Sequence, residues 1–147
     1  MRADLTGAAF AIWSGMTPDE LRKRLDAFAV QADALAAPLL ASPVTRNSAD
    51  QLIRASSSAA SNHRAAGRAR SHAEFTAKIG TALEEADEAM AWARHLVPCG
   101  RVSLEEAEPL IAEAVELVRI LTSSCRTAQR NEQARRALGR RKTSHGR

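Results

Sequence analysis

The chain has no tyrosine, only two tryptophans and three phenylalanines, and two cysteines among its 147 residues. So few aromatics remove the bulky side chains that sheet proteins place on half-buried strands. They also leave no stacking platform of the kind that reads single-stranded nucleic acid. No apolar run approaches the roughly 20 residues that cross a bilayer. The opening segment carries Arg2 but also Asp4, and Thr6 and Gly7 interrupt Leu5–Trp13, so no secretory core forms. These absences point to a cytoplasmic protein without a membrane role. The two cysteines do not suit an intrachain disulfide. Cys99 falls in a turn and Cys125 about 25 helical residues later, roughly 35 Å away against the ~5.5 Å that a disulfide allows. Cys125 also falls on an apolar heptad position, which reads as a buried, inert thiol.

Catalytic signatures are missing too. There is no phosphate-binding or dinucleotide glycine pattern. A carboxylate-bridged metal pair in a helical bundle needs Glu three residues before His, and His63, His72, His95 and His145 all lack it. Glu84-Glu-Ala-Asp-Glu88 reads as a solvated or salt-bridged face in preference to a metal site. Ser and Cys nucleophile arrangements find no support. The expectation is a non-enzymatic protein with no cofactor and no metal.

What the chain does have is Ala-rich helical patterning. A Ser or Thr is followed three residues later by Glu or Gln at Thr17–Glu20, Ser48–Gln51, Ser71–Glu74 and Ser103–Glu106. Each spacing predicts a capping box, in which the hydroxyl accepts from the N3 backbone and the N3 side chain returns to the cap's N–H. The first helix is expected from Pro18 to about Ala37, with Leu21, Leu25, Phe28, Ala32 and Leu35 on one stripe. The second, about Ala49 to Arg68, is rich in small residues from Ala55 to Ser61. Either it is marginally stable, since Ser is a mediocre helix former, or it lets neighbouring backbones approach closely, and close approach is favoured. The third, about His72 to Val97, carries Ile79, Leu83, Ala86, Met90, Ala93 and Val97, and Pro98 and Gly100 stop it. The fourth repeats Leu104, Ala107, Ile111, Ala114, Val118, Leu121 and Cys125. Pro109 either kinks it or opens it after a separate turn.

Short connections make successive helices antiparallel neighbours. The fold class is therefore all-α: an up-and-down four-helix bundle over residues 17–128. An N-terminal extension, 1–16, precedes it, and a basic tail, 129–147, follows it and is expected to be disordered.

Charge is unevenly placed. Residues 48–70 carry four Arg and one Asp, residues 71–125 carry four basic and ten acidic groups, and residues 126–147 carry eight basic groups and Glu132 alone. The overall charge of +4 thus comes from the second helix and the tail.

Several motifs follow one another in order: Gln51-Leu-Ile-Arg54, Ser61-Asn-His-Arg-Ala-Ala66, Arg68-Ala-Arg-Ser71, Ala73-Glu-Phe75, Lys78-Ile-Gly80 and Glu84-Glu-Ala-Asp-Glu88. This series resembles the bacterial four-helix-bundle family first noted as proteins encoded by intervening sequences in 23S ribosomal RNA genes. The likeness extends more loosely from Thr17 to about Ala128. It implies a small non-enzymatic bundle that assembles as a homopentamer. A relative, the accessory protein of diversity-generating retroelements, binds nucleic acid and a reverse transcriptase. The resemblance therefore also implies an RNA, DNA or protein partner.

The basic groups supply candidate phosphate contacts: Arg64, Arg68 and Arg70 on the second helix and its turn, and Arg130, Arg135, Arg136, Arg140, Arg141 and Lys142 in the tail, with Arg126 and Arg147 flanking them. The competing reading is a tail that only aids solubility. Arg54 is expected to pair with Glu84, Asp87 or Glu88 across the second and third helices, and Arg68 with Glu74. The leading expectation is a homo-oligomeric bundle that binds nucleic acid without base specificity. The alternative is a scaffold that docks a protein, such as a reverse transcriptase, with no nucleic-acid role.

Overall fold

Thr17 and Glu20 start the first helix by satisfying each other's backbone. The Glu20 N–H donates to Thr17 Oγ1 at 3.2 Å and the Thr17 N–H to Glu20 Oε2 at 2.6 Å. The computed structural model describes residues 16–144, with side chains through Arg140. Residues 1–15 of the N-terminal extension lie outside the described residues. Among the latter there are four α-helices and no strand: α1 Pro18–Ala36, α2 Arg46–Ala66, α3 His72–Leu96 and α4 Leu104–Ser144. A 3-10 turn, Ala37–Ala41, follows α1 directly.

Three of the four caps form. Ser103 and Glu106 make the full reciprocal box at 2.8 and 3.2 Å. Ser71 accepts from the Glu74 N–H at 3.1 Å, but the Glu74 carboxylate reaches back one residue further, to the Arg70 N–H at 2.9 Å. Ser48 is not a cap: α2 starts earlier, and Ser48 is buried in its first turn. The 3-10 turn is the reason. Its carbonyls need donors, and the Thr45 hydroxyl supplies Leu39 O at 2.8 Å while Arg46 Nε supplies Leu40 O at 2.9 Å. The Thr45 and Arg46 N–H groups both donate to Ser42 O, so helical turning is under way before Ser48 is reached.

The core runs along four facing stripes. Leu21, Leu25, Phe28, Ala32 and Ala36 of α1 are fully buried, while Leu35 is only half-buried. Helices α2 and α3 form the most extensive interface in the bundle. The buried residues of the two helices are largely small: Ala49, Ala55, Ser56, Ala59 and Ala60 of α2, and Ala82, Ala86, Ala89 and Ala93 of α3. Small residues let two backbones draw together, which matches the close-approach reading of α2. That approach also shifts the α3 seam. Ile79, Ala86 and Ala93 are buried as expected, but Leu83, Met90 and Val97 are turned to the edge and half-buried.

On α4, Ala107, Ile111, Ala114, Leu121 and Cys125 are buried, joined by Leu110, Leu117 and Ile120. Leu104 is exposed, and Val118 is half-buried. Pro109 sits inside one continuous helix; it lies within the first two turns, on the exposed side. Gly100 has φ +69°, a left-handed conformation that L side chains resist, and it reverses the chain between α3 and α4. The less extensive α1–α4 contact closes the ring. No described helix is long and apolar enough to cross a membrane.

The basic tail differs from expectation. In place of disorder after Ala128, α4 continues as helix to Ser144. Local chemistry favours this: Ala, Arg, Gln, Glu and Leu are good helix formers, and Glu132 pairs with Arg136 one turn on. Arginines near a helix C-terminus also complement its dipole.

Candidate nucleic-acid interface

The ends of three helices meet at one pole of the bundle. Ala66 at the end of α2, Phe75 and Ile79 at the start of α3, and Cys125 and Ala128 of α4 form a small second apolar cluster there. Among the described side chains Ala128 is the last buried residue of α4. The remaining 16 residues to Ser144 extend roughly 24 Å beyond it at 1.5 Å per residue. From Gln129 to Arg140 every residue is exposed except half-buried Glu132.

This pole gathers most of the arginines singled out from the sequence. Arg68 and Arg70 lie in the α2–α3 turn, and Arg126, Arg130, Arg135, Arg136 and Arg140 lie on the last part of α4. The side chains of Arg68, Arg126 and Arg135 are exposed and make no hydrogen bond or ion pair among the described residues. Arg130 reaches only the Thr127 hydroxyl, at 3.4 Å. At 100° per residue, Arg126, Arg130 and Arg140 fall within about 80° of one another, on the side of α4 opposite buried Leu121, Cys125 and Ala128. They form an outward stripe. Arg135 and Arg136 lie off that stripe, beside the α2–α3 turn. The side chains of Arg141 and Lys142, and all of Arg147, lie outside what is described.

Other expectations resolve differently. Arg64 is drawn inward, pairing with Asp26 of α1, which Arg22 also contacts at 3.3 Å. Arg54 does not meet Glu84, Asp87 or Glu88; its ion pair is with Asp50 of its own helix, at 3.9 Å, and both side chains are more than half exposed. The register explains this. Close packing of α2 on α3 places alanines between them, while Arg54 and the three acidic residues lie on exposed faces. Glu88 instead accepts from Trp92 Nε1 at 3.0 Å. Glu74 is held by Arg70, not by Arg68, and the Arg70 N–H and guanidinium keep its carboxyl below the usual carboxylate range.

Three groups escaped the sequence reading. Arg24 of α1 forms a bidentate pair with Glu113 of α4, at 2.8 and 2.7 Å. His63 is buried beside Asp26, Arg22 and Arg64; burial pushes its pKa down to about 4, and its Nδ1 has no partner among the described residues. His72 opens α3 next to the basic pole. Levelling two antiparallel helices about the turn near Gly100 sets residue 72 opposite residue 128, so spacing alone contained that last juxtaposition. Among the described residues no three His, Cys, Asp or Glu side chains come together in a way that would hold a metal ion.

The model of the family described as 23S rRNA-intervening sequence protein matches residues 37–123, more than half of the chain. The chain belongs to this family. A solved structure with the same fold is a protein of unknown function from the S23 ribosomal protein family of Bacteroides thetaiotaomicron. It aligns with a TM-score of 0.70 and 26% identity, covering 76% of this chain and 99% of that one. None of the curated proteins matches. The family match takes in the 3-10 turn, α2, α3 and α4 as far as Ser123. The arginines of α4 from Arg126 onward fall beyond it.

Proposed function

We propose that this member of the 23S rRNA-intervening sequence protein family is a non-enzymatic, cytoplasmic homo-oligomer. Its arginine-bearing pole binds nucleic acid through phosphates. One observation carries the reading: α4 runs on beyond Ala128 as an exposed helix, and on its outward side Arg126 and Arg130 form no ion pair among the described residues. Exposed guanidinium groups released from the core have no packing role, and a polyanion backbone is their natural complement. No base-reading platform accompanies them among the described residues, so binding is insensitive to sequence. Assembly into an oligomer multiplies the contact. The half-buried Leu83, Met90 and Val97 along one side of α3 offer apolar area for a second copy.

Binding of labelled RNA and DNA, measured by fluorescence anisotropy across salt concentrations, tests the reading. Five phosphate contacts give a log–log salt slope of about −3.5 to −4.5. Deleting residues 129–147 flattens the slope. An unchanged slope, or no binding at low salt, refutes the assignment.

A further inference from the structure

Beside the outward stripe lies a second, differently built basic feature. A shallow groove of about 500 Å³ runs between the start of α3 and the projecting part of α4, lined by Arg70, Ser71, His72, Ala73, Glu132, Arg135 and Arg136. Three guanidinium groups face one carboxylate across it. That carboxylate is engaged: Glu132 pairs with Arg136 one turn along α4. The Arg70 guanidinium touches Glu74 through Nε, at 3.3 Å, leaving its terminal nitrogens available. Arg135 has no partner among the described residues. His72 also lines the groove, and its buried Nε2 has no hydrogen-bond partner among the described residues. Unpaired buried polar atoms are uncommon in proteins and call for an explanation.

We propose that this groove seats a single phosphate group, held by Arg70, Arg135 and Arg136, with His72 in its wall. The chemistry follows from the donor set. Guanidinium groups arriving from two elements match the tetrahedral oxygens of a phosphate, whereas a planar carboxylate is satisfied by one such fork. The first N–H groups of α3 add positive potential at the groove floor. The outward stripe tracks a backbone loosely; the groove fixes one phosphate in place. The phosphate belongs either to a bound nucleic acid, in which case the inference deepens the function proposed above, or to a free phosphate-bearing molecule.

The test needs no nucleic acid in its first arm. Inorganic phosphate is titrated into the full-length protein and followed by amide and imidazole NMR. The expected result is saturable shifts at His72 and Ala73, weakened at least tenfold by Arg135→Gln and unchanged by Arg130→Gln on the outward stripe. Absence of saturable shifts at these residues, or equal weakening by both substitutions, overturns the groove as a seat. Unchanged amide spectra elsewhere establish that each variant is folded. In the second arm, a single-stranded oligonucleotide is added to the phosphate-saturated protein. Displacement of phosphate assigns the seat to nucleic acid. Saturable phosphate binding that the oligonucleotide leaves intact assigns it to a free phosphate compound, and this outcome stands even where the anisotropy experiment finds no nucleic-acid binding.

Discussion

Breaking the Arg24–Glu113 pair should destabilise the bundle more than removing any exposed arginine. Helices α1 and α4 make the least extensive of the four contacts around the ring, so a single well-formed link has an unusually large share of it. Arg24 Nε and Nη2 donate to separate Glu113 oxygens at 2.8 and 2.7 Å, and the two side chains are 32% and 26% exposed. The hydrogen bonds to Glu113 also raise the Arg24 pKa, so the guanidinium stays charged throughout the useful pH range. Exposed pairs contribute about 0–1 kcal/mol, while stripping one partner from a buried pair costs about 3–5 kcal/mol. A half-buried bidentate pair lies between, and Arg24→Ala is expected to cost about 2 kcal/mol. For a chain of this size that is a fall in Tm of about 4–8 °C. Arg54→Ala, by contrast, removes a 3.9 Å contact between largely exposed groups and should cost less than about 0.5 kcal/mol. Urea denaturation of Arg24→Ala, Glu113→Ala and the double variant gives the coupling directly, at one fixed protein concentration so that any self-association weighs equally on each. About 1 kcal/mol of coupling is expected. Coupling indistinguishable from zero, or a loss for Arg54→Ala matching that for Arg24→Ala, would refute the placement of the link.

His63 makes stability depend on pH. The unfolded chain takes up its proton near pH 6.5 and the folded chain only near 4, so the unfolded state binds more protons between those values and stability falls as pH drops through them. The expected loss from this group is about 2 kcal/mol between pH 7 and pH 5, checked by denaturation at each pH; His63→Gln should remove that share, and an unaltered pH dependence would count against it. The alanine seam predicts that Ala86→Leu, at a fully buried position in the α3 seam, costs about 1–3 kcal/mol by overpacking, whereas Met90→Ala on the half-buried edge of the same helix costs less. Equal stabilities in urea would mean that the two helices stand further apart than their small side chains imply.

Helix number, order and direction were legible in the sequence because each depends on short-range signals that repeat. A hydroxyl and a carboxylate three residues apart act within one turn, and Thr17 and Ser103 behave as their spacing requires. Ser48 failed as a cap for a tertiary reason, since carbonyls of the preceding 3-10 turn recruited Thr45 and Arg46 first. The α3 seam was half legible. A heptad names a stripe about 100° wide, and only the neighbour's bulk decides which side of it lies deepest. Here alanines on α2 drew in Ala82 and Ala89 and left Leu83 and Met90 at the rim. Ion pairs were the least legible feature. Arg54 and Arg64 sit on one helix in similar surroundings of sequence, yet Arg64 crosses to Asp26 and Arg54 stays with Asp50, because a long flexible side chain follows whichever carboxylate the packed register brings near.

The same distinction separates what holds the fold from what the candidate site uses. Among the described side chains every buried residue of α4 lies at or before Ala128, so the helix from Gln129 to Arg140 adds no buried residue to the core and should tolerate change without loss of the bundle. The family match ends at Ser123, close to that boundary. Chains that share the bundle are therefore free to differ in the projecting segment, whose side chains packing does not constrain. On that reasoning, deleting residues 129–147 should leave the melting transition nearly unchanged while removing most of the salt-sensitive binding. A deletion that melts the bundle would show that the segment supports the fold, and the separation argued from burial would fail.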